Sequence, residues 1–395
     1  MQKLIPWQPA HRLLPASPTS GPTSRGAVVL LGLLVMLTAG MTQASGEPLP
    51  FSWDQVPVYA HVGKTSGDFT PEQLDFLASH FGFIAFEKGQ AARTRGSTEA
   101  GIAEAARQIK QRRPGARVLF YWNAFLDIPG YEGRQAFPAG GHLLDREGQP
   151  VMVRNTLPTY DLTRADVRDW WSGRAAQAVG AGGCDGIFAD ALLQVTSPGK
   201  IKRLGGEKHA AMQEGLAALL KETTRKIGPG KLIIYNGLRG RDGAQFLPLA
   251  DGAMIEHFGH FSGVGKERMA EDLEAMTAAA KAGKIVCLKA WPGFAWLDKE
   301  MMRKPHAELA RLARERLTFP LACFLVAAEP QCYFCYTWGY GEDHGTFDWY
   351  PEFDKPLGPP LGAAKKIGWT YQRDFAHASV FVDLETQSSR IDWKP

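Results

Sequence analysis

Short apolar runs alternate with helical stretches eight times along this chain, and that alternation restricts the fold more than any other feature. The runs at 56–62, 81–86, 117–122, 186–189, 232–235, 253–255, 285–288 and 321–327 read as buried parallel strands. Between them, Thr70-Pro71-Glu72 opens a helix with an N-cap and a first-turn proline, ending near His80. Further helices are expected at 98–112, from Asp161 onward (with Val167, Trp170, Trp171, Ala175 and Val179 on one apolar face), and at 208–227, 266–282 and 306–319. Eight such units in about 280 residues predict an α/β fold, the (β/α)8 TIM barrel. An open doubly wound sheet wants a glycine-rich turn after its first strand, and only His61-Val62-Gly63-Lys64 stands there. Beyond residue 366 the pattern changes to alternation around Trp369 and Tyr371, Ala378 to Leu384, and Ile391 and Trp393. That predicts a small C-terminal antiparallel β unit.

The N-terminus has a different character. Arg12 and Arg25 precede an apolar run from Ala27 to Leu37, followed by the small-residue sequence Thr42-Gln43-Ala44-Ser45. This is the order of a secretory signal peptide, with cleavage expected after Ala44. The run is shorter than the roughly 20 residues of a membrane span. No cysteine stands at the cut for a lipid anchor. The expected organisation is therefore a signal peptide at 1–44, the barrel at 45–335, and a linker with the small β unit at 336–395. The mature chain is expected to be periplasmic or secreted, without a membrane span, and monomeric.

Composition serves mainly to exclude. A net charge of +4 on 395 residues makes no case for nucleic acid. The five cysteines do not form a disulfide framework: Cys184, Cys287 and Cys323 fall in or beside apolar runs. Cys332 and Cys335 make a single C-x2-C, which is either a local disulfide or two free thiols and is too few ligands for structural zinc.

In a barrel of this kind the carboxyl ends of the strands open into the functional site. The residues expected there are His61, Glu87, Asn123, Asp190, Asn236, Glu256, Lys289 and Glu329. Carboxylates and amides dominate, and no metal or cofactor is implied. Cleaving a glycosidic bond needs two carboxyl groups flanking it, one as acid and the other as nucleophile or base. Asp190 and Glu256 could face each other across the mouth. His257 and the Phe258 ring beside Glu256 would raise its pKa, which makes Glu256 the expected acid and Asp190 the nucleophile or base. The plainer alternatives are a helix N-cap for Asp190 and a structural ion pair for Glu256.

Glu87 and Lys88 either bind substrate hydroxyls or pair with each other, and Asn123 and Asn236 either bind hydroxyls or cap helices. His257 and Lys289 are further substrate-binding candidates. Trp122, Trp291, Trp296, Trp338 and Tyr340 are candidate platforms for sugar rings or core residues. Two other functions compete. A metal-dependent barrel hydrolase would recruit His61, His257 and His260, but no His-x-His pair accompanies them. A non-catalytic carbohydrate-binding barrel would keep the cleft without the chemistry. Neither a G-x-S-x-G elbow nor a P-loop occurs.

The succession FIAFEKGQ (83–90), YDLTRADVRDWW (160–171), GGCDGIFAD (182–190), MIEHFG (254–259) and GWTYQRDF (368–375) resembles the bacterial hypothetical glycosyl-hydrolase-like TIM barrels. The likeness runs over most of the chain after Pro57. The approach through Asp161-Leu162-Thr163 and Val167-Arg168-Asp169-Trp170 to the DGIFAD strand is similar to the catalytic strand of several barrel glycosidase families. The resemblance implies a catalytic carboxylate at Asp190, an acid/base at Glu256, a structural role for Asp185, and a glycan substrate.

Overall fold

The computed structural model describes residues 49–394. The expected signal peptide lies outside them. Eight parallel strands follow one another around a single sheet: β1 (Ala60–Val62), β2 (Phe83–Phe86), β3 (Arg117–Asn123), β4 (Gly186–Asp190), β5 (Leu232–Asn236), β6 (Gly252–Phe258), β7 (Ile285–Ala290) and β8 (Cys332–Tyr336). The sheet closes on itself just before β1. Tyr59 N–H donates to Phe334 O at 3.0 Å, and Phe334 N–H donates to Pro57 O at 2.8 Å. The result is the expected (β/α)8 barrel.

Side chains fill the interior. His61 of β1 meets the Phe188 ring of β4 at 4.6 Å, and Tyr59 donates to Met254 Sδ of β6 at 2.9 Å. The strands pack so closely at the base that a Cβ on Gly186 would come within 2.2 Å of Leu232 O.

The longer helices are α1 (Pro71–His80), α2 (Thr98–Arg112), α3 (Ala165–Gly180), α4 (Gly206–Ile227), α5 (Lys266–Lys281), α6 (His306–Glu315) and α7 (Thr318–Ala327). Thr70 and Gln73 form a reciprocal capping box that fixes the start of α1. In α3 the expected face is buried: Val167, Trp170, Trp171, Ala175 and Val179 all pack inward.

One expected strand is a helix. The run 321–327 lies in α7, where every residue from Pro320 to Ala327 is buried, and the eighth strand follows at Cys332. A continuous apolar run of this length carries no period, so strand and buried helix look alike in sequence. It is apolar on all sides because the barrel covers one side and the C-terminal sheet the other. That sheet consists of β9 (Lys365–Ile367), β10 (Thr370–Asp374), β11 (Ala378–Asp383) and β12 (Ser388–Trp393), antiparallel throughout. Its inner face buries Tyr371, Ala378, Val380 and Val382.

The shift of β8 also moves Glu329 from the mouth of the barrel to its base. There Arg373, from the C-terminal sheet, reaches Glu329 Oε1 at 3.4 Å and donates to Leu325 O at 3.3 Å and to Ala328 O. All five cysteines are free and buried. Cys332 and Cys335 stand three apart on a strand and so point to opposite faces, which rules out a local disulfide.

Candidate active site

A cleft of about 1260 Å³ opens over the carboxyl ends of the strands, and Asp190 and Glu256 both line it. Asp190 ends β4. Glu256 lies inside β6, which runs on past it because the strand bulges: Ile255 pairs with Leu288 and Phe258 with Ala290, leaving one extra residue between. In a regular strand Glu256 and His257 would point to opposite sides. The bulge lets both line the cleft.

The strand between supplies the link. Asn236, at the end of β5, donates from one amide nitrogen to Asp190 Oδ1 at 2.9 Å and to Glu256 Oε2 at 2.8 Å. Those two carboxylate oxygens are therefore less than about 6 Å apart. Asp190 also accepts from its neighbour Ala191 N–H at 2.7 Å, from Asn123 Nδ2 at 3.2 Å, and from the Tyr121 hydroxyl. Ala191 holds a φ of +69°, a left-handed conformation costly for a non-glycine residue and typical of functional turns. Glu256 accepts from Tyr340 Oη at 2.5 Å, and His257 Nε2 lies 3.4 Å from Oε2.

The charges are uneven. Burial, then the charge of Glu256, push the Asp190 carboxyl above its ordinary value. Burial also acts to raise Glu256, but the charge of His257, the Tyr340 hydroxyl and the Asn236 amide together bring it below the usual range. The expectation that its surroundings would raise Glu256 is thus reversed. His257 itself is pushed down by burial. Near neutrality it is therefore uncharged, and its hold on Glu256 lapses. Two buried carboxylates this close repel each other's charge, so neither ionises independently of the other.

Around the pair, Glu87 and Lys88 follow β2 and line the cleft, joined at 2.5 Å, with His61 Nε2 3.3 Å from the other Glu87 oxygen. Burial would raise Glu87, but Lys88 and His61 bring it down. Lys88 also lies over the Tyr121 ring at 4.6 Å.

Several expected substrate contacts fall elsewhere. Trp122 and Asn123 are consecutive on β3, and strand alternation sends only one of them inward. Trp122 is 2 % exposed and packs outside the sheet against Trp170 and Trp171 of α3. Asn123 faces in, but it is fully committed. Its amide serves Asp190 and Tyr121 Oη, and its carbonyl accepts from Phe125 N–H at 3.0 Å and Leu126 N–H at 2.6 Å. It lines the cleft and holds Asp190 in place.

Lys289 is 0 % exposed within β7, where burial lowers its pKa to about 8. It donates to Ala290 O at 3.0 Å and Thr337 O at 2.5 Å, beneath the Trp291 ring at 3.6 Å. Trp291 is buried too, and its Nε1–H donates to Glu256 O at 2.9 Å. Trp338 is wholly buried, whereas Trp296 and Tyr340 line the cleft. Tyr121 had a usable signal in sequence, two residues before Asn123 on the same strand face. Arg239 had none. It lines the cleft, with its NH2 3.4 Å from Asp272 of α5. Among the described residues no three His, Cys, Asp or Glu side chains gather as a metal ion would require. No helix among them is long and apolar enough to cross a membrane.

A closed (β/α)8 barrel with paired carboxylates at the carboxyl ends of its strands defines the class of barrel glycoside hydrolases. Residues 110–379 match the hypothetical glycosyl hydrolase family 15. The chain belongs to that family. No curated relative matches it. Among solved structures it is similar to an α-galactosidase from Thermus thermophilus in complex with stachyose, at 19 % identity and a TM-score of 0.41, covering 67 % of this chain and 61 % of that one. It is also similar to a cycloalternan-degrading enzyme from Trueperella pyogenes, at 16 % identity and a TM-score of 0.44, covering 74 % and 44 %. A third is a maltogenic α-amylase from Thermotoga neapolitana, at 10 % identity and a TM-score of 0.45, covering 84 % and 86 %. The chain thus spans less than two thirds of the first two.

Proposed function

We propose that the chain is an exported glycoside hydrolase that cuts a poly- or oligosaccharide with retention of anomeric configuration. The single observation carrying this reading is the Asn236 amide that bonds both Asp190 and Glu256. It holds the nearest oxygens of the two carboxyl groups under about 6 Å apart. That is closer to the ~5–5.5 Å of retaining enzymes than to the ~6.5–9.5 Å that leaves room for water in inverting ones.

The hydrogen bonds divide the roles. Asp190 accepts from four donors that occupy both oxygens, a cage suited to the anion. Glu256 has partners, Tyr340 and neutral His257, that can receive a proton as well as give one. Burial is the larger cause that raises Asp190, and a proton on Glu256 removes the second, the repulsion between the two charges. Asp190 then attacks the anomeric carbon while Glu256 delivers its proton to the departing oxygen, leaving a glycosyl ester on Asp190. Glu256, now ionised, takes a proton from water as that water attacks the anomeric carbon and the Asp190 carboxylate departs. Sugar is released, and both carboxyl groups return to their starting states. The cleft exceeds the ~300–1,000 Å³ of ordinary small-molecule sites, which suits several sugar rings.

The experiment is to screen the protein against plant, algal and microbial polysaccharides by reducing-end release, then follow the anomer of the first product by NMR. A retained anomer is expected. Azide should restore turnover to the variant lacking the nucleophile, Asp190→Gly, as the glycosyl azide of inverted configuration. An inverted hydrolysis product would overturn the role of Asp190. The absence of any cleavage would overturn the glycosidase reading and favour a carbohydrate-binding barrel.

A further inference from the structure

Few large apolar side chains are exposed among the described residues, and those near the cleft cluster on one lip. Phe261 is 37 % and Leu297 60 % exposed, and both line the cleft with the half-buried Trp296. Beneath them is a built aromatic support. The Trp296 ring stacks on Trp291 with centroids 5.4 Å apart and planes at 28°, and Phe261 sets its edge against Trp291 at 5.3 Å and Trp296 at 6.2 Å. Trp291 is tied directly to Glu256 through its bond to the Glu256 carbonyl. The buried Lys289 ammonium lies against the Trp291 ring. The Trp296 backbone N–H donates to Trp338 O at 2.7 Å.

The backbone is strained to present this lip. Phe261 holds a φ of +49°, an outlier for a bulky residue. The turn that carries it folds so tightly on β6 that a Cβ on Gly263 would lie 1.7 Å from His257 O. Core packing does not account for rings left open to the cleft at that conformational cost.

We propose that Trp296 and Phe261, flanked by Leu297, form a stacking subsite for a second sugar ring beside Glu256, so that efficient substrates carry at least one ring beyond the bond that is cut. The apolar C–H face of a pyranose buries against an aromatic face, while its hydroxyls stay in the open cleft. This subsite rests on the glycosidase reading and deepens it. Because it contacts a remote ring, it contributes binding that is equal in ground and transition states, which appears in KM and leaves kcat unchanged.

The test uses a tetrasaccharide cleaved by the wild type, chosen from α- and β-linked tetramers of glucose, galactose, mannose and xylose, beside the glycosyl fluoride of its terminal sugar, which has no ring on the leaving-group side. Trp296→Ala should raise KM for the tetramer roughly 10–100-fold, with kcat within about threefold and the kinetics on the ring-free glycosyl fluoride unaffected. Trp296→Phe should stay within about threefold of wild type. Phe261→Asn removes the ring yet suits the left-handed backbone, so it tests the same claim if Trp296→Ala does not fold. An unchanged tetramer KM in a folded Trp296→Ala or Phe261→Asn variant overturns the subsite and leaves the glycosidase reading intact. Failure of the wild type to bind or cleave any of these glycans overturns both.

Discussion

The two ends of the barrel treat their carboxylates in opposite ways. At the base, Asp185 meets Lys110 at 2.8 Å, Arg117 at 3.6 Å, Lys231 at 3.8 Å and Val118 N–H at 2.9 Å, while Glu329 is held by Arg373. Each of these two carboxylates has cations of its own. At the mouth, Asp190 and Glu256 share a single neutral amide and are otherwise held by tyrosine hydroxyls, a second amide, a backbone N–H and a histidine that burial keeps uncharged near neutrality. The cations nearby are engaged elsewhere: Lys88 is paired with Glu87, Arg239 lies 3.4 Å from Asp272, and Lys289 donates to backbone carbonyls. Neutral donors orient a carboxylate without cancelling its charge. A cation does both. The base is therefore electrostatically closed, and the mouth retains a negative pair whose proton can move.

The largest expected effect tests the mouth alone. Asp190→Asn and Glu256→Gln should each fold, by circular dichroism and thermal melting, and lose at least ~10²–10⁴-fold in kcat/KM. Comparable activity in either folded variant would erase the functional distinction between the two ends. The mirror experiment is at the base. Arg373→Ala leaves Glu329 and the carbonyls of α7 without their partner, and should destabilise the chain by about 3–5 kcal/mol in denaturant titration while kcat/KM stays near wild type. A kinetic loss in folded protein would mean that the base also serves the chemistry.

A smaller, pH-dependent effect concerns the layer beneath the cleft. Lys289 has its folded pKa lowered to about 8, so above that pH the folded chain binds fewer protons here than the unfolded chain. Stability from this group should therefore rise between about pH 8 and 10, where the unfolded lysine still carries its proton, by ~1–3 kcal/mol relative to Lys289→Met. Unfolding free energies at pH 7.5 and 9.5 check the sign, and a relative fall in the wild type would overturn it. The smallest effect separates the tryptophans. Trp122→Phe, outside the barrel, should cost about 1–2 kcal/mol and leave KM unchanged. A raised KM would return Trp122 to the site.

The sequence carried the barrel because each strand–helix unit is written locally: apolar runs, the Thr70 cap and the spacing of α3 are all decided within about twenty residues. It failed at α7, where a fully apolar helix and a strand have the same composition, and that error also misplaced Glu329. Asp190 was legible because it ends an apolar run on an ordinary strand. Lys289 and Trp122 were misjudged because facing depends on where a strand ends and on which side of the sheet each residue falls.

What the chain determined by itself was the order of elements and the presence of acidic residues at the ends of β4 and near the end of β6, since both follow from periodicity and short-range turns. What only the tertiary structure decided was their meeting: the bulge that turns Glu256 and His257 into one cleft, the Asn236 amide that spans the pair, and the Tyr340 hydroxyl that arrives from beyond β8. Those contacts join residues far apart in the chain, and ring closure is what brings strands four, six and eight over one opening. No local pattern encodes a distance that exists only after the barrel shuts.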